Sequence, residues 1–288
     1  MDEIAVKCYG KINLSLNITG KRADGYHLLD MIMASVNIYD LISVKKSFSE
    51  GIICTGDMTS EGANSAFKAA ESICSEFGIS GVEISVRKNI PVSGGLGGSS
   101  ADAVGVILAL KKLFDLKDDE KLNAISRSVG SDISFMMRGG YARVGGIGDE
   151  VEFFDCPVPL NIVALKNRKG VNSKRCYERY DILEGGRFAS DNGAIRSALM
   201  NNELEKISGE LGNMLYLPAV SLQPDIEKLV KILKSYKPLG VNMSGSGSTV
   251  YALMPDESSA KALESKLANR FCFCRALKTL DKGIEFIN

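Results

Sequence analysis

The segment Pro91–Ala103 reads PVSGGLGGSSADA, with four glycines in the five positions 94–98 and then Ser99 and Ser100. An alternating apolar stretch before it, residues 82–86, predicts a strand, and an apolar stretch after it, residues 104–114, predicts a helix. Glycine lets an anion approach the backbone without a Cβ in the way. The free N–H groups that begin a helix attract anions, and serine hydroxyls can cap the helix or donate to phosphate. The segment therefore predicts a phosphate-binding loop.

Three other interpretations of this loop agree less well with its residues. A P-loop requires Gly-Lys-Ser/Thr, and no lysine follows these glycines. A dinucleotide-binding G-x-G-x-x-G that starts at Gly95 would end on Ser100, far from the beginning of the chain. A purely structural strand-to-helix turn stays open, although so many glycines carry an entropic penalty that such a turn does not require.

The composition narrows the class of protein. The chain has 288 residues, of which 45% are hydrophobic, enough for one large domain or two of ordinary size. Its 35 basic and 35 acidic residues give no net charge, which argues against nucleic acid or an anionic membrane as the main partner. The N-terminal residues lack the apolar core of a signal peptide. No segment approaches the roughly 18 apolar residues of a transmembrane helix. We therefore expect a cytoplasmic location.

The cysteines point to the same compartment. The chain has seven of them, an odd number, and they are scattered, which is typical of reduced thiols in the cytosol. Cys272 and Cys274 are close in sequence, but a shared disulfide or metal is not expected for this single C-x-C pair. With a single histidine in the chain, a structural zinc site would lack ligands.

Strand-like and helix-like segments alternate along the chain, which predicts an α+β fold. The predicted strands are 12–18, 38–44, 82–86, 141–144, 160–165, 249–253 and 271–277. The predicted helices are 63–77, 104–114, 118–129, 192–208, 225–235 and 256–269. The CPVP sequence near 155–159 interrupts regular structure. We therefore predict a first domain of residues 1–155 that contains the loop and a second of residues 156–288.

Three motifs resemble those of the GHMP kinases, the superfamily of galactokinase, homoserine, mevalonate and phosphomevalonate kinases. In order they are GKINLSL (Gly10–Leu16), PVSGGLGGSSA (Pro91–Ala101) and VNMSGSGSTVYAL (Val241–Leu253). The resemblance implies a two-domain fold. An ATP-binding N-terminal domain like domain 2 of ribosomal protein S5 would precede a ferredoxin-like C-terminal substrate domain.

One branch of this superfamily resembles the chain more than the others. KINLSLNITGKRADGYHLLD (Lys11–Asp30) and GSDISFMMRGG (Gly130–Gly140) are similar to signatures of the 4-diphosphocytidyl-2-C-methyl-D-erythritol kinases. The resemblance implies ATP-dependent phosphorylation of the 2-hydroxyl of that cytidine diphosphate derivative, a step of the non-mevalonate route to isoprenoid precursors. ATP and Mg²⁺ would be the cofactors.

The resemblance assigns two catalytic residues, Asp132 and Lys11. An aspartate can orient an acceptor hydroxyl and take its proton during phosphoryl transfer. A nearby lysine keeps the carboxylate charged and stabilises developing negative charge. On local grounds alone, Asp132 could equally be a helix N-cap, and Lys11 a solvated strand residue. Strand alternation places Lys11 and Asn13 on one face.

The residues implied in ATP binding are Asn64, Pro91, Val92, Ser93, Gly94, Gly95, Leu96, Gly97, Gly98, Ser99, Ser100 and Ala101. Asn64 could equally be the N-cap of a helix. The family writes the loop G-L-G-G-G-S-S-D-A, whereas this chain has GLGGSSADA, so its serines come one place earlier. Ser100 is the candidate magnesium ligand, although the sequence does not separate it from Ser99.

The residues implied in substrate binding are Asn13, Tyr26, His27, Tyr177, Ser244, Gly245, Ser246 and Gly247. Asn13 would bind the acceptor polyol, and the aromatic face of Tyr26 would stack on cytosine. His27 would hydrogen-bond the cytosine edge, with Tyr177 on the opposite face of the base. The segment Ser244–Gly247 would bring backbone close to the triphosphate or the acceptor, unless it is an ordinary β-turn.

Two other functions stay open. The chain could be a GHMP kinase for another small alcohol, of the homoserine or mevalonate type, although Gly25-Tyr26-His27 favours a cytidine compound. It could also be an inactive relative that acts as a binding protein, although the presence of Lys11, Asp132 and the glycine loop argues against this. A small molecule is the expected partner, and the oligomeric state stays open between a monomer and a weak homodimer.

Overall fold

The structure of the chain, a computed structural model, describes residues 2–57, 64–183 and 189–287. Within these ranges the strands are β1 (Glu3–Lys21), β2 (His27–Lys46), β3 (Gly51–Gly56), β4 (Gly81–Arg87), β5 (Tyr141–Gly145), β6 (Glu150–Phe154), β7 (Asn161–Lys166), β8 (Gly212–Asn213), β9 (Gly240–Met243), β10 (Val250–Met254), β11 (Phe273–Leu280) and β12 (Ile284–Ile287). The helices are α1 (Ser65–Phe77), α2 (Gly98–Leu113), α3 (Asp119–Val129), α4 (Ile133–Arg138), α5 (Ser173–Ile182), α6 (Asn192–Met200), α7 (Leu204–Gly209), α8 (Tyr216–Leu222), α9 (Asp225–Ser235) and α10 (Glu257–Leu267).

The predicted strands and helices are confirmed, with one change. The segment 192–208 forms two helices, α6 and α7, instead of one. Asn202 between them has a φ of +55°, a left-handed conformation that interrupts the helix. Ala63, the first residue of the predicted helix 63–77, lies outside the described residues. Cys272 precedes β11 and is exposed, whereas Cys274 lies within β11 and is buried.

A long antiparallel hairpin of β1 and β2 organises the first half of the chain. Its register runs from Glu3 opposite Lys45 to Lys21 opposite His27. β4 and β5 pair with β2, β3 with β4, and β6 with β5. Both strands of the hairpin are buried for most of their length. The hairpin therefore places Lys11 and Asn13 in the interior of the protein. The turn between its two strands ends at Tyr26, directly before His27.

Helix α2 packs closely on this hairpin. Its buried residues lie on every side, because α1 and α4 cover the faces that the sheet leaves open. A Cβ at Gly105 would lie 2.8 Å from the Ile42 side chain and 2.9 Å from Cys8 Sγ, so glycine is needed for the close approach. The start of α2 is thereby held next to β1. No helix within the described ranges is long and apolar enough to cross a membrane.

The second half contributes a sheet of β7, β9, β10 and β11 with α9 and α10 packed on it. This sheet continues into the first half, because β11 pairs with β2 as well as with β7. The last strand, β12, pairs with β1. This arrangement confirms the α+β prediction and places the loop between β9 and β10 beside β1. The domain limits 1–155 and 156–288 stay a prediction.

Candidate active site

The three motif segments meet at one place. The backbone N–H of Lys11 donates to the carbonyl of Leu96 over 2.9 Å, which joins β1 to the glycine loop. The Ser244 hydroxyl donates to the Gly95 carbonyl over 2.8 Å and accepts from the Asn13 N–H over 3.2 Å. One buried serine thus connects the loop between β9 and β10 to both other motifs.

Gly95 makes the contact between the two loops possible. Its φ of +76° lies in the left-handed region. A Cβ at this position would lie 2.1 Å from the Ser244 carbonyl oxygen, closer than any real contact. A side chain would therefore separate the glycine loop from the segment that follows β9.

The two candidate catalytic side chains form an ion pair. Lys11 Nζ lies 3.5 Å from Asp132 Oδ2, and the exposed fractions of the two side chains are 6% and 26%. Lys11 also donates to Asn13 Oδ1 over 2.6 Å, so the prediction that they share a strand face is confirmed. Asp132 directly precedes α4, but its side chain makes no capping hydrogen bond. The carboxylate is thus paired with the lysine and partly open to solvent.

The start of α2 differs from the prediction. The N-cap residue is Gly97, and no side chain caps the helix, so the prediction that Ser99 or Ser100 caps it is wrong. Both serines lie in the first turn of α2. Ser99 Oγ contacts Ser65 Oγ at 2.9 Å, at the start of α1. A Cβ at Gly130, two residues before Asp132, would lie 3.6 Å from Ser100 Oγ. Ser100 is therefore the serine on the side of Asp132.

The other candidates for ATP binding surround this helix start. Val92 and Ser93 are exposed, whereas Gly94 and Leu96 are buried. Asn64 is the N-cap of α1, with its side chain accepting from the Ala66 N–H over 3.0 Å, as the local alternative predicted. Its place near adenine stays a prediction.

A buried ionic cluster, which the sequence did not reveal, holds both ends of the glycine loop. Lys88, just before the loop, binds the carboxylates of Asp40 and Asp102 and lies 3.4 Å from the Gly98 carbonyl. Asp40 also accepts from the N–H groups of residues 89 and 90. Burial by itself would lower the pKa of Lys88, but the two carboxylates raise it above its ordinary value.

Asp102 has the strongest pKa shift of this cluster. Burial raises the pKa of its carboxyl to about 7, and the nearby Asp40 carboxylate adds to the rise, while the charge of Lys88 opposes it. One ammonium therefore serves two buried carboxyl groups. No sequence motif indicates this cluster, because its members come from β2, from the residue after β4 and from α2.

An aromatic cluster lies next to the ion pair of the two candidate catalytic residues. The His27 imidazole stacks on the Tyr177 ring, with centroids 4.9 Å apart and an interplanar angle of 23°. Burial, and then the charge of Asp132, raises the pKa of Tyr177. Tyr26 is 61% exposed at the tip of the hairpin. The structure thus brings His27 and Tyr177 together near Asp132, with Tyr26 exposed beside His27 in the chain.

The segment Ser244–Gly247 forms a turn, in which the Gly247 N–H donates to the Ser244 carbonyl over 3.0 Å. Its Gly245 N–H donates to Asn13 Oδ1 over 3.0 Å, and Ser246 Oγ contacts Ser173 Oγ at 2.8 Å. Asn13 is 1% exposed, so its amide oxygen supports Lys11 and this turn from inside.

Asn213, which the sequence did not single out, donates to the carbonyls of Met243 and Gly245, each over 2.8 Å.

Comparison with known proteins agrees with this geometry. The family model for the GHMP kinases N terminal domain matches residues 64–141, and that for the GHMP kinases C terminal matches residues 195–272. A protein of Desulfitobacterium hafniense (strain Y51) named 4-diphosphocytidyl-2-C-methyl-D-erythritol kinase is 35% identical over 286 residues, with 98% of each chain covered. A protein of that name from Carboxydothermus hydrogenoformans is 36% identical, with 89% of this chain and 90% of the relative covered.

Solved structures show the same architecture. A crystal structure of 4-(cytidine 5'-diphospho)-2C-methyl-D-erythritol kinase has a TM-score of 0.81 and 29% identity, covering 96% of this chain and 98% of that one. A homoserine kinase from Cytophaga hutchinsonii has a TM-score of 0.73 at 18% identity, covering 100% and 98%, and shows the fold alone. The two-domain GHMP kinase fold is thereby confirmed. The chain is a small-molecule kinase, and it belongs to the 4-diphosphocytidyl-2-C-methyl-D-erythritol kinase family of the GHMP kinases.

Proposed function

We propose that the chain acts in the cytoplasm and transfers the γ-phosphoryl group of ATP to the 2-hydroxyl of 4-diphosphocytidyl-2-C-methyl-D-erythritol. The observation that carries this proposal is the ion pair of Lys11 and Asp132, 3.5 Å apart and beside the glycine loop. A phosphoryl-transfer site requires an anion cradle, a group that orients the acceptor hydroxyl and a cation near the transferred group. The loop, Asp132 and Lys11 supply these three parts.

In this mechanism Asp132 accepts a hydrogen bond from the acceptor hydroxyl and takes its proton as the new O–P bond forms, while the bond from the γ-phosphorus to the bridging oxygen breaks and ADP leaves. Lys11 pairs with the carboxylate and places its charge where negative charge develops on the transferred phosphoryl group. Because the Lys11 ammonium is nearly buried, the surrounding protein screens this charge less than water would. Asn13 and the Gly245 N–H hold the lysine and the adjoining turn in place.

The glycine loop supports the nucleotide part of the proposal. The N–H groups at the start of α2 carry no side-chain cap and are available to the phosphates. The residues present are compatible with Mg²⁺, because this ion is usually held by substrate phosphates and only one or two protein ligands. The described ranges contain no cluster of three or more His, Cys, Asp or Glu that could hold a metal by itself. Ser100 would hold the ion, which would neutralise phosphate charge.

The aromatic cluster supports the cytidine part. Tyr26 offers an exposed ring face to a base, and His27, which is stacked on Tyr177, offers a ring nitrogen to its edge. The names of the relatives specify a diphosphocytidyl compound, which these side chains suit. The reaction would form part of the non-mevalonate route to isoprenoid precursors.

The alternative acceptors of the GHMP kinases have less support. Homoserine and mevalonate carry no base, so they give no reason for an aromatic cluster at the mouth of the site. An inactive binding protein would not require the nearly buried Lys11, whose ammonium is directed to Asp132 and Asn13.

Turnover of candidate acceptors tests the proposal. The purified chain is incubated with ATP, Mg²⁺ and each acceptor, namely the cytidine compound, homoserine and mevalonate, and ADP release is followed. We expect turnover of the cytidine compound alone, with phosphate on its 2-hydroxyl by ³¹P NMR. If homoserine or mevalonate is turned over and the cytidine compound is not, the substrate assignment is refuted. If none of the three acceptors leads to ADP release, the kinase assignment is refuted.

A further inference from the structure

One carboxylate outside the predicted site joins two residues at the turn end of the β1–β2 hairpin. Asp181 lies near the end of α5, one helical turn after Tyr177. Its Oδ1 lies 2.7 Å from His27 Nε2, and its Oδ2 accepts from Lys21 Nζ over 2.6 Å. Lys21 and His27 are directly opposite each other in the hairpin. Asp181 therefore fastens the end of the hairpin to the helix that carries Tyr177.

The chemistry of this contact determines which nitrogen of His27 carries a proton. The hydrogen bond from Lys21, and then the one from His27, lowers the pKa of Asp181 below its ordinary value, so its carboxylate is ionised and can only accept. His27 Nε2 must then carry hydrogen. In the neutral imidazole, Nδ1 is left as the acceptor that the ring can offer to a ligand.

Two rings fix the plane of the imidazole. The stack on Tyr177 holds His27 within 23° of parallel, and Tyr180 meets it edge-on at a centroid distance of 5.8 Å. A half-turn of the ring about its Cβ–Cγ bond would place Cε1 where Nε2 lies and break the bond to Asp181. The ring is thus restrained both in its plane and in its orientation within that plane.

We propose that Asp181 is a specificity-determining positioning residue, which holds His27 so that Nδ1 accepts a hydrogen bond from the exocyclic amine of the pyrimidine. An acceptor at this position binds the 4-amino group of cytosine and repels the 4-carbonyl of uracil. The identity of the base rests on the proposed function, whereas the hydrogen bond between Asp181 and His27 does not.

Kinetics with two substrates tests the specificity. The compound above and its uracil counterpart are compared for the wild type and for Asp181→Ala, Asp181→Asn and His27→Ala. We expect Asp181→Ala to reduce the preference for cytosine about tenfold through KM, because one oriented hydrogen bond is lost, with little change in kcat or in KM for ATP. Asp181→Asn should retain most of the preference, because its amide oxygen can still accept from Nε2. Glu178→Gln removes an exposed carboxylate from the same helix and should behave as wild type.

A double-mutant cycle distinguishes positioning from a general structural effect. If Asp181 acts through His27, then His27→Ala with Asp181→Ala loses no more preference than His27→Ala alone. Additive losses would overturn the proposal. Equal turnover of both substrates by the wild type would overturn it as well and leave the proposed kinase function intact, whereas no turnover of either would refute both.

The single histidine of the chain provides a direct readout that does not depend on activity. In ¹⁵N-labelled protein, the imidazole signals come from His27 alone. We expect a proton on Nε2 that exchanges slowly with water in the wild type and in Glu178→Gln, and rapidly in Asp181→Ala. Rapid exchange in the wild type, or slow exchange in Asp181→Ala, would contradict the hydrogen bond on which the inference depends.

Discussion

The Lys11 ammonium lies 3.5 Å from the Asp132 carboxylate, although one residue comes from the first strand and the other from the turn before α4. The same ammonium donates to Asn13, and the Asn13 oxygen accepts from the Gly245 N–H. A chain of contacts thus runs from the candidate catalytic carboxylate to the turn after β9. The hydrogen bond between Asn13 and Gly245 therefore joins the first and third motifs next to the ion pair, with the glycine loop packed against both.

Asp132→Asn removes the proton acceptor and keeps the shape of the side chain. We expect kcat to fall by about 10²- to 10⁴-fold, the usual contribution of general acid–base catalysis, with little change in either KM. Steady-state ADP release measures it. Asp155→Asn, which changes an exposed carboxylate, is the matched control. Turnover near the wild-type value in Asp132→Asn would remove the residue from the mechanism.

Lys11→Met replaces the ammonium by an apolar chain of similar length. We expect kcat to fall by about 10²- to 10³-fold, as when one stabilising donor of a transition state is lost. Because Lys11 and Asp132 act as a pair, Lys11→Met combined with Asp132→Asn should lose less than the product of the single effects. Multiplicative losses would show that the two side chains act independently.

Ser99→Ala and Ser100→Ala form a matched pair within one turn of α2. Ser100 lies on the side of Asp132, whereas the Ser99 hydroxyl contacts Ser65 at the start of α1. We therefore expect Ser100→Ala to raise the Mg²⁺ concentration required for half-maximal activity, and Ser99→Ala to leave it nearly unchanged. The opposite ranking would transfer the metal-ligand role to Ser99.

Residues with a local signal could be predicted from the sequence. Alternation along β1 placed Lys11 and Asn13 on one face, and the contact between them confirms it. The glycine loop was predicted to lead into a helix, which α2 confirms. Both inferences depend only on neighbours along the chain, where the periods of strands and helices determine which side chains meet.

Residues whose roles depend on distant parts of the chain could not be predicted. Asp40, Lys88 and Asp102 come from three elements, and nothing in the residues around each one indicates a shared ionic cluster. The helix cap was also mistaken, because whether Gly97 or a serine caps α2 depends on how the loop packs on β1. Asp181 was missed for the same reason, since its partners lie at the far end of the hairpin.

Gly95→Ala tests the close contact between the glycine loop and Ser244. An alanine would have to adopt a φ near +76° and place its Cβ 2.1 Å from a carbonyl oxygen. We expect the free energy of unfolding to fall by about 1–3 kcal/mol and activity to fall with it, because the loop must shift. Urea unfolding measures the change.

Gly209→Ala is the control for this substitution. A Cβ at Gly209, the last residue of α7, would meet nothing within 4 Å. We expect no loss of stability, and up to about 1 kcal/mol of gain, because alanine favours the helix and restricts the unfolded chain. Equal effects of the two substitutions would mean that the contact at Gly95 has no special importance.

The pH dependence of stability tests the ionic cluster under the loop. Burial raises the pKa of Asp102 from an ordinary 3.8 to about 7. Between these two values the folded chain holds a proton that the unfolded chain has released. The folded state therefore binds more protons, and this group makes the free energy of unfolding decrease as pH rises through the window.

Asp102→Asn removes this titration, since an amide stays neutral at every pH in the range. The free energy of unfolding of Asp102→Asn minus that of the wild type should therefore increase from about pH 4 to about pH 7, by at most about 1.4 kcal/mol per pH unit. Urea unfolding at intervals of pH measures the difference. Asp115→Asn, which changes an exposed carboxylate just after α2, should show no such increase. A difference that stays constant for Asp102→Asn, or that falls with pH, would mean that Asp102 is ionised throughout, with Lys88 compensating both carboxylates.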